Sequence, residues 1–302
     1  MTTAPQRTAF VFAGGSSLGA IQVGMLKALM QSGYVADMVV GSSVGAINAA
    51  WFAGDPSVAG VARLEAIWRG MRRVDVFPTH PIGSLIGLFS RRGYLVDSAG
   101  LARLLERHLP YQRLEQARLP VHIIATDMLE GIEIRLSDGP AVQALLASAA
   151  IPGVFPAVKL AERHVVDGGV ANHTPISAAV ELGATRLVVL PTGYSCALQA
   201  PPRRAIAAAL HALNILIACQ LTDAIRRYRS VVEIVVVPPL CPLGVSPYDF
   251  KSVGALIDRA QRSTEDWLRD GVEQVDGVPH QFEPHTHDAS AAPYGPASLH
   301  VH

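Results

Sequence analysis

The sequence is poor in charge and has no excess of either sign. Charged residues make up 17% of the 302 residues, against about 25% in a typical soluble domain. Lysines and arginines number 25, as do aspartates and glutamates, so the formal net charge is zero. Because nucleic-acid binders usually carry a basic excess, this balance argues against such a partner. The 50% hydrophobic content excludes intrinsic disorder over most of the chain.

Cysteine is also scarce. Cys196, Cys219 and Cys241 are odd in number, lie far apart and include no C-x-x-C pair. This pattern predicts neither a disulfide framework nor a zinc site, and no residue cluster offers calcium ligands. We therefore expect no metal and no cofactor. The expected location is a reducing cytoplasm, with the surface of a membrane as a peripheral site of action.

Long uninterrupted hydrophobic runs are missing as well. The best candidate for a membrane span, 205–221, is interrupted by His211, Asn214 and Gln220, whereas a transmembrane helix needs about 20 mostly apolar residues. The apolar run at 9–13 is too short for the core of a signal peptide. We therefore expect a soluble protein in which the helix near 205–221 is buried in the core.

Apolar strand-like segments alternate with helical segments along the chain, which is typical of an α/β fold. We expect a three-layer α/β/α structure around a mostly parallel central sheet. No internal repeat or long polar linker divides the chain, so a single catalytic domain is predicted over 8–272. The tail, 277–302, is rich in proline, histidine and alanine and lacks a periodic apolar pattern. It is predicted to be disordered.

A glycine-flanked serine follows the second predicted strand. Gly41-Ser42-Ser43-Val44-Gly45 lies between an apolar strand and a helix of small residues, which is the context that a nucleophile elbow requires. Glycines at these positions avoid collisions between a Cβ and the neighbouring strand and helix. The serine hydroxyl projects at a helix N-terminus, whose dipole favours developing negative charge. Ser43 is therefore a candidate nucleophile, although G-x-S-x-G also occurs by chance.

A glycine-rich turn, Gly14-Gly15-Ser16, follows the first strand and opens the first helix. Its spacing is not G-x-G-x-x-G, and Asp37 precedes strand two instead of ending it, which argues against a dinucleotide site. Turns that follow neighbouring parallel strands lie at one edge of the sheet, so we expect this turn beside Ser43. Its backbone N–H groups could then stabilise an oxyanion. A tight turn without any ligand is the alternative.

A serine nucleophile needs a base, and no histidine lies in a recognisable strand-end motif. His164 and His173 are interpreted as structural or surface residues. Asp167-Gly168-Gly169 is a better candidate, because the aspartate follows an apolar strand and precedes two flexible glycines. Taken alone, this motif is better explained as an Asp-Gly hairpin turn.

Together the three motifs resemble those of the patatin-like phospholipase family. That family combines a glycine-rich oxyanion turn, a G-x-S-x-G serine and a D-G-G/A aspartate. Further stretches that are similar to the family lie at 22–26, 45–49, 147–156 and 170–175. The resemblance runs from about residue 8 to 240, and the ordered matches are much more specific than any single motif.

The resemblance implies a patatin-like fold and a lipid acyl hydrolase with a Ser–Asp dyad and no catalytic histidine. A lipid ester would acylate Ser43, with Asp167 as the base, and burial should raise the pKa of that carboxyl. The oxyanion hole would consist of the N–H groups of Gly14, Gly15 and Ser16. The glycines that support the two motifs would be Gly41, Gly45, Gly168 and Gly169.

The oxyanion turn departs from the family's usual Gly-Gly-Gly-x-Arg-Gly. Ser16 replaces the third glycine and Leu18 replaces the arginine. Ser16 keeps its N–H donor if its φ is permitted, whereas the loss of the arginine removes a positive charge. This departure motivates an alternative function, a catalytically weak or inactive lipid-binding or regulatory protein.

An apolar segment followed by two arginines predicts a flap that touches an anionic lipid surface. A loop that packs against the core is the alternative, and it is favoured over the flap. The segment consists of Ile82, Leu85, Ile86, Leu88, Phe89, Arg91 and Arg92.

Overall fold

The structure is a computed structural model that describes residues 6–77, 93–193, 205–271 and 278–282. These residues form an eight-stranded mixed sheet with helices on both faces. The expected α/β/α architecture with a mostly parallel sheet is therefore confirmed.

The strands are β1 (Thr8–Phe12), β2 (Met38–Ser42), β3 (Val121–Asp127), β4 (Glu133–Leu136), β5 (Val158–Leu160), β6 (Arg163–Asp167), β7 (Arg186–Leu190) and β8 (Glu233–Val236). The α-helices are α1 (Gly19–Gln31), α2 (Val44–Gly54), α3 (Val58–Gly70), α4 (Arg73–Val76), α5 (Ala99–His108), α6 (Ala141–Ser148), α7 (Gly169–Asn172), α8 (Ile176–Glu181), α9 (Ala205–Tyr228) and α10 (Val253–Arg269). Short 3₁₀ helices lie at Ser16–Leu18, Leu114–Gln116 and His280–Phe282.

The strand order is β5-β6-β3-β2-β1-β7-β8, and β4 also pairs with β3. The strands β3, β2, β1, β7 and β8 are parallel to their neighbours in this order. Antiparallel pairs join β4 and β6 to β3, and β5 to β6. Both faces of a parallel sheet are covered by helices, which explains why β1, β2 and β7 read as continuous apolar runs.

Alternate residues of β1 face two separate parts of the core. Phe10 and Phe12 pack on one side with Phe52 of α2, and the ring centroids of Phe10 and Phe52 lie 5.8 Å apart. Ala9 and Val11 face the opposite side, where α8 and the C-terminal part of α9 pack. The sheet is thus the middle of three layers.

The prediction that the helix near 205–221 is buried is wrong for part of α9. Ile215 and Leu216 are 46% and 54% exposed, whereas Leu221 and Ile225 farther along are buried. Among the described side chains of α9, those of the C-terminal part, Leu221 and Ile225, pack against the sheet. None of the described helices is long and apolar enough to cross a membrane.

Two other predictions concern segments that the structure describes only in part or not at all. The predicted flap, Ile82 to Arg92, lies outside the described residues. The tail predicted to be disordered, 277–302, is described only at 278–282. These five residues differ from the prediction, because they include a 3₁₀ helix and Phe282 is buried beside α9. The extent of the predicted domain, 8–272, stays a prediction.

Candidate active site

The two candidate catalytic residues lie where two strands meet end to end. β2 runs parallel to β3, and its Ser42 pairs with Ile124. β6 runs antiparallel to β3, and its last residue, Asp167, pairs with Ala125. β4 pairs with one edge of β3. Both β2 and β6 therefore pair with the opposite edge, β2 as far as Ile124 and β6 from Ala125 onward. The carboxyl ends of β2 and β6 therefore face each other, which brings Ser43 next to Asp167.

The side chains of Ser43 and Asp167 are directly hydrogen-bonded. The Oγ of Ser43 donates to the Oδ2 of Asp167 at 2.6 Å. The other carboxylate oxygen, Oδ1, accepts the backbone N–H of Gly169 at 2.7 Å. Ser43 and Asp167 are only 8% and 6% exposed. The N–H of Gly169 thus fixes the carboxylate while its second oxygen faces the hydroxyl of Ser43.

Burial changes the acidity of this carboxyl group. It raises the pKa of Asp167 from 3.8 to about 6, although the hydrogen bonds from Ser43 and Gly169 act in the opposite direction. The cause is desolvation, which disfavours the charged form. A carboxylate with a pKa near 6 is a better proton acceptor than an ordinary aspartate and is still mostly ionised at neutral pH.

Ser43 has the strained backbone of a nucleophile elbow, with φ of 56° and ψ of −127°, a region that L residues rarely adopt. Its N–H donates to the Oγ of Ser148 at 2.9 Å, and the Ser148 hydroxyl donates to the carbonyl oxygen of Ile124 at 2.5 Å. Ser148 ends α6, so this helix ties the elbow to β3. The sequence patterns do not predict α6, and Ser148 appears there only as part of a stretch that is similar to the family.

Close backbone contacts explain the glycines of the elbow. A Cβ on Gly45 would overlap the carbonyl oxygens of Phe12 and Ala13, and a Cβ on Gly41 would lie 2.6 Å from the carbonyl carbon of Gly45. The start of α2 therefore lies directly on the end of β1. This contact brings the elbow beside the glycine-rich turn, as neighbouring parallel strands predict.

Within the glycine-rich turn, the three expected oxyanion donors are not equivalent. The N–H of Gly14 donates to the carbonyl oxygen of His173 at 3.1 Å, so it is not free to bind an oxyanion, unlike the expectation from sequence. The N–H groups of Gly15 and Ser16 have no hydrogen-bond partner in the described part of the chain. Ser16 has φ of 53°, so a serine adopts here the left-handed conformation that favours glycine.

A buried polar network supports this turn from inside the protein. The side-chain amide of Gln22 donates to the carbonyl oxygens of Ala13 and Leu190 at 2.8 and 2.9 Å. Asn48 donates to Gln22 at 2.8 Å and accepts the indole N–H of Trp68 at 2.8 Å. Sequence reasoning assigned no role to Gln22 or Asn48. The signal that was available is an isolated amide within an apolar stretch, Gln22 within 19–26 of α1 and Asn48 within α2, because buried amides are retained when they are hydrogen-bonded.

His173 lies at the same site but not between the dyad residues. Its ring flanks Gly14, because a Cβ on Gly14 would lie 2.8 Å from its Nε2 and 3.3 Å from the Cβ of Ser43. Its Nδ1 is buried and has no hydrogen-bond partner in the described residues. Burial lowers the pKa of His173 to about 4, so the imidazole is neutral at neutral pH. His164, in contrast, is exposed on β6.

Two cavities of different character meet at Ser43. One has about 490 Å³ of empty space and an almost wholly apolar wall. The other has about 610 Å³ and is lined by both dyad residues and the oxyanion turn. Ser16, Ser43 and Ile151 border both. We call the first the apolar cavity; its wall includes Val44, Ile47, Trp51, Trp68, Met71, Phe77, Leu101, Leu104, Phe155 and Phe250. In the described part of the chain, no cluster of three or more histidine, cysteine or carboxylate side chains could hold a metal.

Comparison with known families settles the relationship of the chain. A sequence model described as patatin-like phospholipase matches residues 10–180. The chain belongs to the patatin-like phospholipase family. The matched range contains the glycine-rich turn, the elbow, Ser148 and Asp167, so these parts of the site lie within the family's shared region. The resemblance seen in the sequence motifs is thereby confirmed.

Patatin-like relatives of this chain are much longer than the matched region. The chain is 27% identical over 191 residues to patatin-like phospholipase domain-containing protein 7 of Rattus norvegicus, and the match covers 61% of the chain and 13% of that protein. It is 32% identical over 166 residues to an uncharacterized NTE family protein of Mycobacterium tuberculosis, where the match covers 55% of the chain and 27% of that protein. The match therefore spans about a quarter or less of the length of these relatives.

Two solved structures of bacterial proteins align with most of this chain at TM-scores under 0.5. VipD from Legionella pneumophila aligns with a TM-score of 0.47 at 14% identity, covering 89% of this chain and 68% of that chain. ExoU in its complex with SpcU, from Pseudomonas aeruginosa, aligns with a TM-score of 0.42 at 19% identity, covering 89% of this chain and 52% of that chain.

Proposed function

We propose that this protein is a serine acyl hydrolase that cleaves fatty-acyl esters of lipids, in the manner of a phospholipase A or lysophospholipase. The observation that carries the proposal is the 2.6 Å hydrogen bond from Ser43 Oγ to Asp167 Oδ2. This pair lies where the apolar cavity meets a cavity with polar groups. Membership of the patatin-like phospholipase family supports a lipid ester as substrate.

In the proposed acylation step, Asp167 accepts the hydroxyl proton of Ser43 while the Oγ attacks the acyl carbonyl carbon. The negative charge that develops on the carbonyl oxygen is stabilised by the free N–H groups of Gly15 and Ser16. When the carbonyl re-forms, the ester bond breaks and Asp167 returns the proton to the oxygen of the departing alcohol or lysolipid. Ser43 is left as an acyl ester.

In the deacylation step, the same groups act on water. Asp167 accepts a proton from a water molecule that attacks the acyl-Ser43 carbonyl. The tetrahedral intermediate collapses, the Ser43 Oγ leaves with the proton from Asp167, and the fatty acid departs. The direct contact between serine and carboxylate means that neither step requires a histidine.

We assign the apolar cavity to the acyl chain and the second cavity to the leaving group. Burial of each CH₂ group stabilises binding by about 0.8 kcal/mol, so an almost entirely apolar wall favours a hydrocarbon chain over a polar group. The buried ring of Trp68, whose N–H is held by Asn48 at 2.8 Å, forms part of that wall. The leaving group then lies near Asp167, which must protonate it.

The altered turn favours the second candidate function, a lipid-binding protein without efficient catalysis. Ser16 adopts a left-handed backbone, which costs a non-glycine residue about 1–2 kcal/mol. Leu18 is buried in the core and supplies no charge where the family usually has arginine. The intact hydrogen bond between Ser43 and Asp167 and the two free N–H groups nevertheless favour the hydrolase.

We also propose that the protein acts in the cytoplasm, at or near the surface of a membrane. The low cysteine content supports a reducing compartment. The predicted contact of Ile82, Leu85, Leu88, Phe89, Arg91 and Arg92 with lipid stays a prediction, since these residues lie outside the described part of the chain.

The decisive experiment is to measure fatty-acid release from a p-nitrophenyl acyl ester and from phospholipid, with labelling by a fluorophosphonate probe in parallel. We expect the wild-type protein to turn over the ester and to be labelled on Ser43, and Ser43→Ala to do neither. Absence of both labelling and turnover in the wild-type protein would favour the lipid-binding alternative, whereas clean labelling of Ser43 would argue against it. Turnover by Ser43→Ala equal to that of the wild type would refute the mechanism.

Activity should depend on pH through Asp167. The proton acceptor must be ionised, and burial raises the pKa of Asp167 to about 6, so we expect kcat/KM to fall tenfold per pH unit well below pH 6 and to level off above pH 7. The measurement is a pH–rate profile with the p-nitrophenyl ester, normalised for the ionisation of the product. A profile with its midpoint near 4 would indicate an unperturbed carboxylate and would contradict the role of burial.

Ser148 should act as a positioning residue for the elbow. Ser148→Ala removes the acceptor of the Ser43 N–H and leaves the buried Ile124 carbonyl without its donor, which costs about 1–3 kcal/mol. We expect lower thermal stability and a kcat reduced about tenfold to a hundredfold, with little change in KM. Ser148→Cys keeps a weak donor and acceptor and should recover part of kcat. Unchanged kcat in Ser148→Ala would show that the elbow keeps its geometry without this bond.

A further inference from the structure

A basic groove lies on the surface between α3, α4 and α5. It has about 940 Å³ of empty space, and its wall includes Arg72, Arg103, Arg107 and His108 as well as one carboxylate, Asp75. The three arginines are exposed. Since the whole chain carries equal numbers of basic and acidic residues, this local excess of positive charge does not follow from composition.

The charges in the basic groove are only partly compensated. Arg72 forms an ion pair with Asp75 at 3.2 Å. Arg103 and Arg107 have no ion pair or hydrogen bond in the described part of the chain, although Arg107 is close enough to lower the pKa of Asp75. They are four residues apart on α5, a spacing at which like charges repel each other. Burial and the charge of Arg107 lower the pKa of His108, so it adds no positive charge at neutral pH.

The basic groove shares part of its wall with the apolar cavity. Met71 and Leu104 line both spaces, so the groove adjoins the proposed site of the acyl chain at these two side chains. Val74, at the rim of the groove, is a large apolar residue that is exposed on α4. Unpaired cations, an exposed apolar side chain and an adjoining apolar cavity thus occur together on one side of the sheet.

We propose that the basic groove docks the protein on a bilayer that contains anionic phospholipid. A bilayer surface presents phosphate groups above hydrocarbon, which matches arginines in a groove that adjoins an apolar cavity. A free phosphate or an acidic peptide matches only the arginines. Anionic membranes attract nearby basic residues, and docking here would place the apolar cavity next to the lipid. The role of the groove in bringing the enzyme to its substrate rests on the proposed function, whereas binding of the groove to a bilayer does not require catalysis.

The test is flotation of the Ser43→Ala variant of the whole 302-residue chain with vesicles of phosphatidylcholine, with or without phosphatidylglycerol, at about 0.1 M salt, where charges act over about 10 Å. We expect binding only when phosphatidylglycerol is present. Each basic residue near an anionic surface strengthens binding about fivefold, so Arg103→Gln/Arg107→Gln should weaken partitioning about 25-fold. Both substitutions are on the exposed face of α5, and an unchanged melting temperature would verify the fold.

The matched control is Arg226→Gln/Arg229→Gln. It removes the same charge from exposed positions at the end of α9, which packs on the opposite side of the sheet, and it should leave partitioning unchanged. Three results would each overturn the proposal. They are an equal loss of partitioning in both double variants, equal binding of the parent protein to neutral and anionic vesicles, and no loss of partitioning in the α5 variant. Binding abolished by millimolar inorganic phosphate at constant ionic strength would assign the groove to a soluble anion instead.

The two proposals fail in distinguishable ways. Inactivity of the wild-type protein toward a soluble p-nitrophenyl ester would contradict the hydrolase and would leave flotation unaffected. If the hydrolase is correct and the groove docks the bilayer, the α5 variant made with Ser43 intact should hydrolyse the soluble ester at the wild-type rate. It should lose activity only on anionic vesicles.

Discussion

Asp167→Asn is expected to lower kcat by about 10³-fold or more while the fold is retained. Asparagine has nearly the same shape, and its Oδ1 can still accept the N–H of Gly169. The amide nitrogen that replaces Oδ2, however, cannot accept the proton that Ser43 now donates at 2.6 Å. KM should change little, because neither cavity changes its shape. The measurement is steady-state hydrolysis of the p-nitrophenyl ester together with thermal unfolding.

Ser43→Ala is the reference for this prediction, since residues that act as a unit are not additive. The double variant Ser43→Ala/Asp167→Asn should have no lower activity than Ser43→Ala alone. The fold of Asp167→Asn should be at least as stable as that of the wild type at neutral pH, because it no longer buries a charged carboxylate.

Activity of Asp167→Asn within tenfold of the wild type would mean that another group accepts the proton. His173 is then the candidate, because its neutral imidazole lines the same cavity as the dyad. In that case His173→Asn should abolish the remaining activity of Asp167→Asn. If Asp167 is the base, the same substitution should act only through the packing of the turn at Gly14.

The parts of the site that could be predicted from sequence are those built by neighbours along the chain. Gly41 to Gly45 form a strand, a sharp turn and a helix start, so the local pattern already contains the strained serine. The turn at 14–16 is found in the same way, because β1 and β2 pair in parallel and their following turns must lie at one edge. Such features depend on short-range sterics, which residue types specify directly.

The meeting of Ser43 with Asp167 could not be derived from these rules. It depends on β6 running antiparallel to β3 in a register that sets Asp167 beside Ala125, one residue beyond the pairing of Ser42. Taken alone, the pattern around Asp167 is better explained as an ordinary hairpin turn, and only the family resemblance linked it to the serine. A register between distant strands arises from packing of the whole sheet, which no short motif encodes.

The hydrogen-bond partners of individual backbone groups could not be predicted either, because they too depend on contacts between distant parts of the chain. The sequence supplies three N–H donors in the turn, but the N–H of Gly14 already donates to the carbonyl oxygen of His173. Ser148 likewise takes the N–H of Ser43. In the same way, the exposed Ile215 and Leu216 show that hydropathy alone does not predict which face of a helix packs against the rest of the protein. Each of these outcomes depends on residues more than a hundred positions away or on the presence of a neighbouring layer.

Gly45→Ala should impair both stability and catalysis, because the carbonyl oxygens of Phe12 and Ala13 leave no space for a Cβ. These oxygens are backbone atoms of β1 and its turn, so the start of α2 must move away from them. Overpacking of this kind costs about 1–3 kcal/mol, or roughly 3–10 °C in Tm for a domain of this size. The movement also separates Ser43 from the N–H groups of Gly15 and Ser16. Since a displacement of about 1 Å can cost about 10²-fold in rate, we expect a comparable loss of kcat and slower fluorophosphonate labelling.

Gly70→Ala is the matched control, because Gly70 ends α3 and a Cβ there would meet no atom within 4 Å. It should keep wild-type kcat and a Tm equal to or slightly above that of the wild type, since alanine favours a helix more than glycine does. A lower Tm with unchanged kcat in Gly45→Ala would show that the elbow and the turn move together and that their spacing is preserved. Loss of kcat with an unchanged Tm would instead place the whole effect on the distance between the nucleophile and its oxyanion donors. Equal loss of both, with the control unaffected, is the outcome expected if the close contact of α2 with β1 both stabilises the fold and sets the geometry of the site.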